Sequence, residues 1–388
     1  MNPKKEVISL LKKAGVKNPE LSIPPDPKLG DYSLPCFKLT KQFKLDPILV
    51  AKTLAKKIKP KGSIKQIKEV GPYLNFFINK QNLAGDIIND ILTKKDNYGK
   101  GTLKKEKVMV EFSQPNTHKG FHIGHLRNVC LGDALVRIMR FNGFPVIAAN
   151  YINDTGAHVA KCIWYYLKYN KGNEPKLNKG EWLGNLYSEA AKKVSQNPEL
   201  KDEVDEVHRK IESKDRELWR VWKTTRKWSL DDFNLIYKTL GVHFDVWFYD
   251  HELAEPGKQF VQELLKKKIA KISDDATIVD LQKYKLDVAL VLKSDKSTLY
   301  LTKDFALAEK KFKKYGIDTS IYVVAAEQRL HFQQLFKVLE LYGFKQAKKC
   351  FHLSYELVML KEGKMSSRAG NIVLFNELLN EVKEKLKH

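Results

Sequence analysis

At 388 residues the chain exceeds one usual domain and is long enough to bury a full core, so two or three domains are expected. Its 69 Lys and Arg against 46 Asp and Glu give a formal charge of +23, which favours a polyanionic partner through counterion release, although partnerless surface lysines would give the same balance. Cys36, Cys130, Cys162 and Cys350 form no C-x-x-C pair, no apolar run reaches membrane-spanning length, and residues 1–6 are too charged for a signal peptide. A disulfide framework, a zinc site and a membrane anchor are thereby disfavoured, and a soluble cytoplasmic protein is expected.

Residues 1–100 read as a small α/β module. Asp46-Pro47 is a helix start with proline at the first helical position, and Ile48, Leu49, Ala51, Leu54, Ala55 and Ile58 follow at helical spacing. Residues 70–79 are rich in aromatic and β-branched types and read as a strand; Leu83, Ile87, Ile88, Ile91 and Leu92 then mark an amphipathic helix. Taken by itself this module is read as structural. The polar stretch 94–107, with its KKEK end, reads as a linker.

The chain is organised around residues 111–127, EFSQPNTHKGFHIGHLR. A hydrophobic run at 108–112 predicts a buried strand, and a Pro-Asn break follows. Gly124 then opens a helix with apolar positions at Leu126, Val129, Cys130, Ala134, Ile138 and Met139. Gly143 closes it, and 145–149 reads as the next strand. Strand, helix and strand in this order make a parallel crossover, whose ligands bind beyond the carboxyl ends of the strands, where His122 and His125 fall. A helix N-terminus offers unpaired N–H groups and partial positive charge, Gly124 leaves room for a flat ring, and imidazoles three residues apart can face one phosphate. The stretch is a candidate ATP-phosphate site, although ordinary core or surface histidines would spell the same short string. Arg127 and Asp133, in the same helix, read as possible ion-pair members.

Residues 170–235 are helical in pattern and lysine-rich, and read as an insertion. Val204, Val207, Ile211, Leu218 and Trp222 recur at steps that put them on one helix face. Trp219, Trp222 and Trp228 read as packing residues rather than RNA-stacking platforms. Apolar runs at 277–279, 288–292, 298–302 and 321–325 are expected to resume the sheet. Residues 364–368 then read KMSSR, inside EGKMSSRAGN.

Together with H-I-G-H, KMSSR resembles the paired signatures of class I aminoacyl-tRNA synthetases, and the surrounding text is similar to arginyl-tRNA synthetases in particular. The shared segments are GDYSLP at 30–35, VGPYLNFFI at 70–78, YINDTGAHVAK at 151–161, LGVHFDVW at 240–247, LYLTKD at 299–304 and AAEQRLHFQQ at 325–334, in the family's order. The resemblance implies an α/β fold. A tRNA-contacting N-terminal α/β domain over 1–100 would precede a Rossmann-like parallel-sheet catalytic domain over 101–388, with a helical insertion at 170–235. The signature loop and the start of a C-terminal helix would occupy 355–388. It further implies ATP-dependent activation of arginine to arginyl-adenylate and transfer to tRNA(Arg), with ATP as substrate and Mg²⁺ on its phosphates.

That chemistry is attack by a carboxylate on the α-phosphorus, with pyrophosphate leaving. No protein nucleophile is needed, and catalysis rests on positioning and on positive charge aimed at phosphate oxygens. The implied catalytic donors are His122, His125, Lys119, Lys364 and Arg368. The implied ATP contacts are His122, Gly124, His125, His331, Lys364, Met365, Ser366 and Ser367. Two departures from the family pattern stand out. Ser367 replaces a second lysine, with Lys119 where a lysine before the first signature compensates, and Gly120 replaces a proline, which leaves the loop less pre-organised.

A pocket selecting a guanidinium needs a carboxylate that accepts two parallel N–H bonds. By resemblance Asp304, Tyr300 and Gln328 match the positions that hold the arginine side chain, and Glu111 and Asn116 match positions near its α-amino group. Read without the family, Tyr300 and Gln328 could be core residues and Asp304 a helix cap. Arginyl-tRNA synthetases continue past the second signature into a helical anticodon-binding domain that is not in this sequence. The expectation is a fragment, one chain of a split enzyme with a separate anticodon-binding chain, or a short paralogue. Such a paralogue would be a catalytically silent RNA-binding or regulatory protein, or an arginine-activating enzyme for another acceptor.

Overall fold

A computed structural model describes residues 2–360, 363–364 and 373–387. The chain divides into two compact units at Lys100 and Gly101. The first holds α1 (Pro3–Lys13), β1 (Tyr32–Pro35), α2 (Pro47–Lys57), β2 (Ile64–Val70), β3 (Tyr73–Ile78) and α3 (Lys80–Lys94). Its antiparallel sheet runs β1-β3-β2. Helix α2 starts where Asp46 accepts from the N–H groups of Ile48 and Leu49 at 2.9 and 3.1 Å, and Pro47 has no N–H to satisfy. Its inward face is Val50, Ala51 and Leu54, packed with Val7, Leu11, Leu34 and Phe76, while Ile48 and Leu49 stay exposed. The strand expected at 70–79 is the second half of a hairpin. Val70 ends β2, Gly71 turns at φ +56°, and β3 begins at Tyr73. Lys65, Gln66, Lys68 and Glu69 hide β2 from an apolar-run reading, because most of the strand is solvated.

The second unit opens with β4 (Val108–Glu111), α4 (Ile123–Phe141) and β5 (Val146–Ile152). A helical block follows: α5 (Ala157–Tyr165), α6 (Lys179–Gln196), α7 (Lys201–Glu212) and α8 (Arg216–Leu240). Next come β6 (Val246–Tyr249), α9 (Ala254–Lys266), β7 (Lys271–Ser273), β8 (Ala276–Asp280), β9 (Val288–Leu292) and α10 (Tyr300–Tyr315). The described chain then passes through β10 (Thr319–Ala325), α11 (Arg329–Tyr342), β11 (Cys350–Tyr355) and α12 (Phe375–Lys385), with a short antiparallel pair, Met359–Leu360 and Gly363–Lys364, after β11.

The central sheet has the order β11-β10-β4-β5-β6 and is parallel throughout. Its strands alternate between two cores. Val108 and Val110 face α4 with Val129, Val136 and Val323, whereas Met109 faces the opposite core with Phe305, Tyr322 and Leu335. By the same alternation Glu111 ends β4 on the side of α10. In α4 the buried face is Asn128, Val129, Gly132 and Val136, and Cys130 and Ile138 are exposed, contrary to the stripe expected. The helix is rolled because Gly132 admits the Phe112 ring: a Cβ there would stand 2.1 Å from that ring.

Three further expectations are corrected. Residues 277–279 and 288–292 are strands of a separate antiparallel sheet, β7-β8-β9, and not of the parallel one. Residues 298–302 are no strand: Leu299 N–H donates to the Thr302 hydroxyl at 3.0 Å, that hydroxyl donates to the Val291 carbonyl, and α10 begins at Tyr300. The apolar set from Val204 to Trp222 lies on two helices, α7 and α8, broken at Lys214 (φ +58°) and restarted where Asp215 caps Glu217 and Leu218. The five residues still meet in one cluster. Trp222 is buried, Trp219 stacks on it at 4.1 Å, and Trp228 packs against Trp182 and Tyr166, as packing residues do. No helix among the described residues is long and apolar enough to cross a membrane.

Candidate active site

The loop from β4 to α4 carries Ser113, Gln114 and His118 at positive φ (77°, 44° and 63°), a costly conformation for residues with side chains. Buried polar contacts hold it there. Ser113 N–H donates to Asn128 Oδ1 at 2.6 Å, and its hydroxyl lies 2.6 Å from the Tyr237 hydroxyl. Gln114 N–H reaches Asn150 Oδ1 at 3.2 Å, and His118 N–H donates to Ser229 Oγ at 2.9 Å. Asn128 closes the network, donating to Val323 O and to Gln114 Oε1 at 2.8 and 3.1 Å. The N-terminus of α4 is thereby fixed over the carboxyl end of the sheet.

Both signature histidines cap that terminus. Gly124 N–H donates to His122 Nδ1 at 3.1 Å, and His122 N–H donates to His125 Nδ1 at 3.3 Å. The rings stack with centroids 3.9 Å apart. Burial, with Lys119 nearby, pushes the His122 imidazole down to about 4. Burial, His122 and Lys119 push His125 well below its usual value. Because each Nδ1 accepts, the hydrogen bonds assign the proton to Nε2, so each neutral ring keeps one N–H donor outside the cap.

His118 is wholly buried, with Nε2 2.8 Å from Thr225 Oγ1, and burial lowers its imidazole to about 3. Between that value and 6.5 the unfolded chain binds a proton that the native chain does not, so stability falls as pH falls through this window. At pH 5 the loss from His118 alone is about 2 kcal/mol, with His122 adding to it. Urea midpoints at pH 7.5 and pH 5 check this. A midpoint that does not move, or a His118→Gln variant with the same pH slope, would contradict it.

A cavity of ≈ 460 Å³ opens at the ends of β4, β5, β10 and β11. It is lined by His122, Gly124 and His125 on one side, and by Glu111, Asn116, Tyr300, Asp304, Gln328 and His331 on the others. Lys119 is not among its lining residues; its ammonium lies 5.0 Å over the Tyr187 ring. Lys364 is described as backbone in the short hairpin, and Met365, Ser366, Ser367 and Arg368 lie outside the described residues. One flanking segment reaches the cavity and the other the start of α4. Leu357 and Val358 line it, and Leu357 O accepts from Arg127 at 3.4 Å. On the far side Ile123 N–H donates to Val373 O at 3.0 Å, and Phe375 N–H to Phe121 O at 2.9 Å.

Two carboxylates in the cavity are already paired. Glu111 Oε2 lies 2.6 Å from Lys311 Nζ, and its Oε1 accepts from Gln114 Nε2 at 3.1 Å. Asp304 Oδ2 lies 2.6 Å from His331 Nε2. Sequence reasoning missed Lys311, and also Arg127, Tyr151 and Tyr355 in the lining. Arg127 is three residues past Gly124 on one helix, so its place beside Gly124 was readable. Asp133 instead pairs with Arg137 at 2.6 Å. Tyr151 donates its hydroxyl to buried Asp250 at 2.8 Å, a link that no spacing announces.

The parallel sheet and its histidine-capped helix are those of a class I tRNA synthetase catalytic domain. The profile described as "tRNA synthetases class I (R), catalytic domain" matches residues 87–388, and "Arginyl tRNA synthetase N terminal domain" matches residues 4–78. The chain belongs to the arginyl-tRNA synthetase family. Proteins named arginine–tRNA ligase from Bdellovibrio bacteriovorus and Clostridioides difficile are each 39% identical over 94% and 95% of it. The chain spans 63% and 65% of those relatives' lengths. The Thermus thermophilus arginyl-tRNA synthetase structure matches with a TM-score of 0.70 at 22% identity, over 99% of this chain and 69% of that one. The Plasmodium falciparum structure matches at 0.59 and 19% identity, over 92% and 65%. At such identities the likeness is one of fold.

Proposed function

We propose that the chain activates arginine with ATP to give arginyl-adenylate and pyrophosphate, and transfers arginine to tRNA(Arg) in the cytoplasm. The observation that carries this reading is the pairing of two chemistries in one cavity: a helix N-terminus with two neutral imidazole donors, and a carboxylate end bearing Asp304, Tyr300 and Gln328. The Nε2–H groups of His122 and His125 take phosphate oxygens of ATP with the positive end of the α4 dipole behind them, and Gly124 admits the flat base and ribose. Asp304 receives the guanidinium fork, flanked by Tyr300 and Gln328, while Glu111 and Asn116 hold the α-ammonium and so aim the carboxylate at the α-phosphorus. Lys364 and Arg368 of the second signature supply cationic side chains for the departing pyrophosphate. Mg²⁺ enters on the phosphates of the substrate. The transfer step draws on anticodon recognition, in the same polypeptide or from a separate chain.

Exchange of labelled pyrophosphate into ATP tests the proposal. Exchange should depend on arginine, with tRNA(Arg) added where required, and Asp304→Ala should lower kcat/KM for arginine at least about 100-fold, as loss of a bidentate charge-assisted bond does. Equal exchange with lysine, or none with any amino acid in the presence of tRNA(Arg), would reject it.

A further inference from the structure

Residues 373–376, just past the second signature, are built onto the first. At the start of α4 the N–H groups of His122 and Gly124 are taken by the two imidazoles, and that of Ile123 is taken from outside, by Val373 O at 3.0 Å. Phe375 N–H returns to Phe121 O at 2.9 Å, and Leu374 bridges His122 between these two bonds. His122 accordingly has the extended backbone of a strand residue, φ −124° and ψ 171°. The side chains repeat the grip. Phe375 is buried and meets Phe121 edge-on with centroids 6.0 Å apart, and Phe121 in turn lies 5.0 Å from the His125 ring. Leu374 lies on Gly120, where a Cβ would stand 2.7 Å from its Cδ2. Gly184 of α6 backs the same loop, since a Cβ there would stand 2.6 Å from the Gly120 nitrogen. Asn376 fastens the segment to α6, donating to Glu181 Oε2 at 2.7 Å. The firmness that a proline at position 120 would give the loop comes instead from neighbours packed on a glycine.

We propose that residues 373–376 are a positioning element for the reaction: they add a short strand to residues 121–123 and so hold both signature imidazoles where phosphate oxygens gain charge. This rests on the phosphate role given to His122 and His125 above. The capping bonds orient the two rings relative to the helix, and the added strand fixes the backbone that carries them. Two backbone bonds astride His122 set one ring, and the Phe375–Phe121 contact presses on the other. A donor serves the transition state only when it is already aimed, and a displacement of about 1 Å costs about 10²-fold in rate. Leu374 isolates this effect. Its side chain is half-buried against Gly120 and is not among the residues lining the cavity, so trimming it leaves the arginine pocket untouched.

The test is pyrophosphate exchange by the full chain carrying Leu374→Ala or Asn376→Leu, beside Leu374→Met, which nearly keeps the side-chain volume. Both disruptive variants should lose kcat at least about tenfold with KM for arginine within about threefold, because Asp304, Tyr300 and Gln328 stay in place. Leu374→Met should restore the rate. The imidazole resonances of His122 supply a readout that lowered stability alone would not move. Burial holds this ring down to about 4, and in Leu374→Ala, shown folded by its thermal melt, it should climb toward 6.5 as water reaches the ring. An unchanged kcat in both variants, a KM for arginine that rises as kcat falls, or a His122 imidazole still at about 4 would overturn the proposal while leaving the proposed activity standing. No arginine-dependent exchange by the unaltered protein, with tRNA(Arg) present, would overturn the functional reading instead, and the His122 titration would then decide the positioning by itself.

Discussion

A Gly124→Val protein is expected to lose about 10³-fold in arginine-dependent exchange while melting within a few degrees of its parent. A Cβ at residue 124 would stand 2.9 Å from His122 Cε1 and 3.0 Å from His122 Nδ1, so the imidazole must leave its capping position. The His122 ring stacks on His125 and accepts from Gly124 N–H, and its departure loosens the second ring as well. Each preorganised donor lost costs on the order of 10² to 10³ in rate, and two that act as a unit do not add. Stability should barely change, because a lost cap costs about 1 kcal/mol and valine is a better helix former than glycine by a few tenths. Exchange kinetics and thermal melts on the same preparation separate the two effects. Activity within tenfold of the parent would mean that the imidazoles are not the phosphate donors. Gly124→Ala should fall between the two, since its single Cβ makes the same clash with less bulk.

How far this site could be read from the sequence depended on which kind of contact built it. The crossover β4–α4–β5 was legible because a β-run, a helical period and a closing glycine are each local, and Gly143 at φ +88° supplies the stop. The rotation of α4 was not, since it is set by the Phe112 ring lying on Gly132, a pair separated in sequence and joined only by packing. The antiparallel sheet β7-β8-β9 could not be told from more parallel strands, because a short apolar run carries no mark of its partner's direction. Residues 298–302 have strand-like composition, but the hydroxyl of Thr302 caps a helix there, and a local hydrogen bond outweighs β-propensity. At the site itself, side chains projecting from strand ends and helix starts were readable from motifs. Their partners were not: Glu111 meets Lys311 only because β10 pairs with β4 in a register that brings α10 over it, and His331 meets Asp304 across two helices. Lys119, beside the first signature in sequence, lies over Tyr187 with its charge still felt by both imidazoles.

The Glu111–Lys311 pair yields the largest stability effect. Lys311→Met should destabilise the second unit by about 3–5 kcal/mol, or roughly 5–8 °C in Tm. Lys311 has no side-chain exposure and Glu111 has 4%, so neither charge can recover hydration when its partner is removed. The ammonium also sits 3.7 Å from the centre of the Tyr322 ring, a contact that methionine replaces only with dispersion. Most of the loss should come from the carboxylate left behind, since a buried ion pair is worth little against a well-packed neutral pair. The double variant Lys311→Met, Glu111→Gln should therefore regain most of the stability, because the side chain at position 111 would then be a neutral amide whose carbonyl oxygen could still accept from Gln114. It should not regain arginine-dependent exchange, because the acceptor proposed for the substrate's α-ammonium has lost its charge. Urea denaturation of the four proteins gives the coupling energy, and exchange on the same four gives the activity. A single Lys311→Met variant as stable as its parent would show that water reaches this carboxylate. A double variant recovering both stability and activity would remove Glu111 from substrate binding and leave it as a strut between β4 and α10.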